Sequence, residues 1–182
     1  MTRRESAEAV LELAWKARCA GRLDEAAARY EELLVGELAS FAPALQRRAL
    51  SGRAQVHRDL GETQDAVRVL DEAVRCAREV GEEDGLAHAL RHAAEARIEL
   101  AVPATDEAVA LSREALDLLR ARGADGLPLA NAWRVVALAD QSAGDVSAAT
   151  AAWREVEALY RSAGVEAGVE EARDALERLE AE

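Results

Sequence analysis

His88 and His92 stand four residues apart, one helical turn, and Glu95 and Glu99 follow on the same side. Imidazole and carboxylate at that interval can chelate a divalent metal. Here no Glu follows the first His and no third histidine lies nearby. His92 also occupies a place that Val10, Leu50 and Trp133 fill in matching stretches of the chain, so it reads as packing and no metal is expected. Cys19 and Cys76 are far apart and fit no metal or redox spacing, which makes them reduced, packed thiols. Neither sits in the setting of an activated nucleophile, and there is no Gly-rich phosphate loop or nucleophile elbow. The many Asp and Glu residues read as helix-face charges. No catalytic residue and no cofactor is expected, so the chain is not read as an enzyme.

A second polar set has a different character. Arg53 and His57 are four apart on one helix face, Glu95 and Glu99 on another, and Asp140 on a third, at places where apolar residues are usual. Two arrangements are open. Arg53–Glu95 and His57–Glu99 pairs could be buried across a seam between neighbouring helices, able to register the stack or respond to pH. A slight helix rotation would instead leave them wet.

The elements that must position these groups are helices throughout. The chain breaks at Gly21–Ala26, Gly61–Ala66, Pro103–Ala108 and Gly144–Ala149, and the alanines closing the breaks are 40, 42 and 41 residues apart. A repeat of that period marks stacked helix pairs. Apolar spacing places helices at about 4–20, 23–36, from near Pro43 to Leu60, 63–80, 84–101, 105–122, from near Pro128 to 144, and 146–162. The last segment, 165–181, carries Val165, Val169, Ala172, Leu176 and Leu179 under a charged back, as a terminal cap requires. The expected fold is all-α, a single domain of four repeats (about 4–40, 42–82, 84–123 and 126–163) plus the capping helix.

Composition narrows the function. A net charge of −12 argues against nucleic acid, whose binding needs a basic face, and against an anionic membrane surface. No stretch approaches about 20 consecutive apolar residues, and the opening residues lack the apolar core of a secretory signal. A cytoplasmic location is expected. Aromatic residues make up only 3% of the chain, which suits close-packed helices better than a sheet.

These features resemble the tetratricopeptide repeat family in its longer form, with a period near 42. The family sets a small residue where two helices cross, a turn glycine, then Ala, a bulky residue and a small one. Ala14, Gly21, Ala26, Tyr30 and Leu33 match in the first repeat, and Ala54, Gly61, Ala66, Leu70 and Ala73 in the second. The third offers Ala96, Ala108, Ser112 and Ala115, with Pro103 in place of the glycine; the fourth offers Ala137, Gly144, Ala149, Trp153 and Val156. The resemblance implies a right-handed α-α superhelix, or α-solenoid, with the first helix of each hairpin lining a concave wall. Carried over position by position, it nominates Trp15, Arg18, Arg48, Gln55, Arg58, Arg97, Asn131, Arg134 and Gln141 as peptide-binding residues.

Five of these nine are arginines, in a strongly acidic chain, so the implied groove suits an acidic peptide with Trp15 as apolar anchor. The carboxylate clamp by which some relatives hold chaperone C-termini is excluded, because Leu11, Trp15, Gly52, Leu90 and Ala94 stand at its positions. The resemblance therefore implies a protein-interaction module. A sensor for a small signalling peptide or metabolite, and a self-associating scaffold, are the alternative readings.

Overall fold

The computed structural model describes residues 3–35 and 43–181; the boundaries expected at 36, 40 and 42 lie outside them. The described residues form nine α-helices: α1 Arg3–Cys19, α2 Leu23–Val35, α3 Pro43–Asp59, α4 Thr63–Val80, α5 Glu83–Ile98, α6 Thr105–Ala121, α7 Gly126–Ser142, α8 Val146–Ser162 and α9 Glu166–Glu180. They divide into two compact units, Met1–Ala96 and Arg97–Glu182. The division falls inside the third repeat, the one whose break is a proline instead of a glycine.

The alanine pattern is the basis of the packing. Ala14, Ala26, Ala54, Ala66, Ala96, Ala108, Ala137 and Ala149 are all completely buried. Helix axes approach to about 8–10 Å only where intervening side chains are small, and the paired helices of the first, second and fourth hairpins do pack on each other. Within the first unit α1 packs on α2, α2 on α3 and α3 on α4. Ala7, Leu11, Ala17, Tyr30, Leu33, Leu45 and Val56 fill the space around the alanines. In the second unit α7 packs on α6 and α8, around Trp153, Val156, Tyr160 and Val136. The cap behaves as its stripe requires. Val169, Ala172 and Leu179 are buried and α9 packs on α8.

The turn after α3 shows why glycine closes a hairpin. Gly61 has φ 76°, its N–H donates to the Arg58 carbonyl at 2.9 Å, and the Glu62 N–H reaches back to the His57 carbonyl at 2.8 Å. This is a left-handed cap that satisfies carbonyls otherwise stranded at the helix end. The break before Pro103 has no such glycine. Here α5 stops at Ile98, three residues short of the expected 101, and the Ala104 N–H caps the Arg97 carbonyl at 3.3 Å.

Gly52, inside α3, has a different purpose. A Cβ there would lie 2.3 Å from Cε1 and Cζ of the buried Tyr30 ring. Gly52→Ala gains helix propensity of about 1 kcal/mol but overlaps a packed ring, and overpacking costs about 1–3 kcal/mol. We expect a lower melting temperature for Gly52→Ala and recovery in the Gly52→Ala/Tyr30→Leu double variant, measured by thermal denaturation. A single variant as stable as the parent would show that the ring moves aside freely.

Candidate functional site

The first unit carries an open groove of about 960 Å³. Its walls come from one face each of α1, α3 and the start of α5. From α1 come Glu8, Leu11, Glu12, Trp15 and Arg18; from α3 come Arg47, Arg48, Ser51, Gly52 and Gln55. Glu82, Asp84, Gly85, His88 and His92 form the third side, with Tyr30 behind Gly52. The periods of three and four along α1 and α3 are those of single helix faces. Trp15 is 55% exposed, although Trp is usually among the more buried residue types.

Trp15, Arg18, Arg48 and Gln55, four of the nine nominated residues, share this groove. The arginines do not form a basic wall. Arg18 makes a two-pronged pair with Asp59, Nε–Oδ2 2.6 Å and Nη2–Oδ1 3.2 Å. Arg58 donates to Gln55 and Glu95, each at 3.2 Å. Arg97, only 8% exposed, holds Glu107 through Nε at 2.6 Å. Arg134 grips Glu171 through Nε at 2.7 Å and Nη2 at 2.6 Å. Arg48 alone of the five makes no ion pair among the described residues.

In the second unit Asn131 Oδ1 accepts from Tyr160 Oη at 2.6 Å, and Gln141 Oε1 accepts from Trp153 Nε1 at 3.3 Å. These two amides thus tether α7 to α8. The nominated residues of the second unit serve internal joints, while Trp15, Arg18, Arg48 and Gln55 of the first line a groove.

Several lining residues were not legible in the sequence. On α5 Leu90 and Ala93 are buried, and the flank carrying Asp84, His88 and His92 faces the groove. Burying Leu and Ala while leaving polar side chains at the opening is the cheaper rotation. Arg47 was also missed. It is nearly buried, donates to Glu82 at 3.0 and 3.3 Å, and lies where a Cβ on Gly85 would come within 2.3 Å of its Nε. A glycine in the first turn of a helix signals such a close approach.

The seam pairs are corrected as well. Arg53 pairs with Glu31 at 2.5 Å instead of Glu95, and His57 Nδ1 lies 2.7 Å from Glu62. Glu95 is nevertheless largely enclosed, 11% exposed in its side chain, and held by Arg58, by Arg91 at 3.1 Å and by His92 at 2.9 Å. His92 Nε2 accepts from Arg91 Nη2 at 2.8 Å, which leaves Nδ1–H to donate to Glu95; the Gln55 amide lies 3.2 Å from the same Nδ1. Asp140, also buried, accepts from Arg113 at 2.8 Å. Both acids sit at expected interior positions, with partners set by helix rotation.

The His88 and His92 rings meet edge to face, 4.5 Å between centroids. Burial above all, then its neighbours His92 and Arg91, brings His88 down to about 3, and burial likewise lowers His92. Both are neutral at pH 7. His57, Glu62 and Asp65 place ligand atoms within 4.8 Å of one another, but Asp65 is bonded to Arg68 and His57 to Glu62, so these donors are already engaged. Cys76 is buried, its thiol pushed up by burial, whereas Cys19 is exposed, contrary to the expectation that both thiols pack.

Comparison with known proteins supplies the fold relationship. BtubC (BKLC) from P. vanneervenii superposes with a TM-score of 0.69 at 21% identity, over 96% of this chain and 79% of its own. A variant of the nearly identical TPR-like repeats of a Podosopora anserina kinesin-light-chain-type protein superposes with a TM-score of 0.74 at 18% identity, over 100% of this chain and 96% of that one. The chain is built of tetratricopeptide-like repeats. The MamA protein is a further structural neighbour, with a TM-score of 0.59 at 17% identity over 96% of this chain and 90% of its own. A family model described as anaphase-promoting complex subunit 5 matches residues 44–99, which spans α3, α4 and α5. No curated protein sequence matches the chain. No helix among the described residues is long and apolar enough to cross a membrane.

The Glu95 cluster yields two measurable outcomes. Burial pushes its carboxyl up, but the hydrogen bond from His92 and the charges of His92, Arg91 and Arg58 outweigh it and bring it to about 2, below its ordinary 4.5. Its stabilising contribution is complete above pH 4.5 and is lost as pH falls toward 2. His88 acts in the same direction from a higher starting point. The unfolded chain takes up its proton near 6.5 and the native one only near 3, so stability declines as pH falls between those values. A His88→Gln variant should lose the upper part of that decline in denaturation midpoints measured from pH 7 to 3. Glu95→Ala should lower the melting temperature by removing the shared partner of the part-buried Arg58 and Arg91; a melting shift under a degree would place the cluster in water.

Proposed function

We propose that the chain is a protein-interaction module in which the groove of α1, α3 and α5 docks a peptide or helix of a partner protein. Folds of this kind are generally non-catalytic, and arrays of helix pairs act chiefly by presenting extended surfaces. The observation that carries the reading is Trp15, a large aromatic left exposed on the wall of an open groove, beside the apolar side of Leu11. Exposed aromatic side chains in concave sites supply the anchors of most interfaces. A helix laid along the groove would set one apolar side chain on Trp15 and find hydrogen-bonding groups at Gln55 and His88.

The acidic partner expected from five arginines does not follow from this groove. Four of the five are engaged within the chain, and the remaining one, Arg48, shares the groove lining with carboxylates.

Trp15→Ala separates docking from other roles. Its exposure means the fold should melt within about a degree of the parent, since surface changes usually stay within ±0.5 kcal/mol. A partner recovered stoichiometrically with the parent chain should be held at least tenfold more weakly by the variant, as read by titration. Retention of full affinity would place the contact elsewhere, and a small molecule retained in the groove through purification would instead indicate a sensor.

A further inference from the structure

The groove of the first unit has little charge left to offer a partner. Arg18 is paired with Asp59 at 2.6 Å, and the nearly buried Arg47 with Glu82 at 3.0 Å. Glu12 meets Lys16 at 2.6 Å, one turn further along α1. Glu8 and Asp84 both have interaction partners within the chain. Of the charged side chains on the lining, Arg48 alone makes no ion pair among the described residues, and it is exposed to water.

The rest of the lining is neutral. Burial keeps His88 and His92 uncharged at pH 7, and Gln55 adds an amide. Trp15 is the large apolar side chain that the groove leaves open. These facts set unequal costs for different partners. A charged side chain brought against the lining sheds its water, and only a group of opposite sign can offset that loss. The Glu82 carboxylate and the Arg47 guanidinium answer such a charge only by leaving each other, which strands a nearly buried guanidinium. An apolar side chain meets no such cost, and it removes both its own surface and that of the indole from water.

We infer that the groove of the first unit selects a partner helix whose docked face is apolar and uncharged and sits on Trp15, and that charge takes little part in holding it. This rests on the docking reading above and adds the chemistry of the partner's face to it. The net charge of −12 still draws any cationic chain from a distance, but that attraction belongs to the whole surface and is screened by salt. Contact with the indole is not.

The test uses three labelled amphipathic helical peptides that share one Leu stripe and differ only in the residues flanking it, which are Gln, Lys or Glu. Each is titrated by fluorescence anisotropy at low and at high salt. The Gln-flanked peptide should bind about tenfold more tightly than either charged one, with an affinity that changes less than about twofold between the two salts. Trp15→Ala should weaken it about tenfold. Tightest binding by a charged peptide, falling steeply with salt, would overturn the uncharged-face assignment; a Glu-flanked preference lost in Arg48→Gln would give recognition to that arginine instead. The docking groove stands in either case if Trp15→Ala weakens the binding. Binding that is indifferent to Trp15→Ala would lie outside the groove and overturn both readings. Failure of all three peptides to bind overturns the uncharged-face assignment alone, because docking is tested separately with the protein partner.

Discussion

Paired helices that touch along alanine are the constraint on which the rest of this structure depends. A methyl is the largest side chain that lets two rods pass at about 8–10 Å, and eight such alanines, two to a hairpin, are fully buried. They recur every 40 to 42 residues, and the bulky residues that follow fall into the same interior places. Tyr30, Leu70 and Trp153, four residues after Ala26, Ala66 and Ala149, are all buried. The third repeat puts Ser112 there, equally buried and donating to the Val109 carbonyl at 3.1 Å, so a small polar residue occupies a bulky place without an unmet hydroxyl.

Close packing of the crossings also determines where polar chemistry can reside. With alanine taking the contact, the flanks of α1, α3 and α5 carry long charged residues that meet between neighbouring hairpins. Arg58–Glu95, Arg47–Glu82 and Arg18–Asp59 all bridge successive first helices of hairpins, and Arg134–Glu171 does the same in the second unit. Such pairs contribute little net stability but are costly to break once partly buried. They therefore select one register among sequences that would otherwise pack with similar energy at several. The same pairing takes Arg18 and Arg47 out of play as free positive charges on the groove wall.

What was legible in the sequence was everything that depends on spacing along one chain. Helical periods, turn glycines and the alanine interval gave the all-α class, the hairpin order and the capping helix, with helix ends displaced by a few residues where Pro103 stands in for a cap. Among the candidate residues, Trp15, Arg48 and Gln55 were found because one face of a helix is a property of its own sequence. Asp84, His88 and His92 were missed because which flank of α5 faces its neighbour depends on the rotation that buries Leu90 and Ala93.

The sequence by itself thus determined the class of fold, since that follows from local periodicity and residue type. Only the tertiary structure decided which charges cancel. Arg53 met Glu31 in place of Glu95, Glu95 met Arg58 and Arg91, and Arg97 turned inward to Glu107. An ion pair across helices is set by distances of a few ångströms between side chains roughly 10 to 41 residues apart. A helix rotation too small to disturb the apolar pattern is enough to exchange one partner for another.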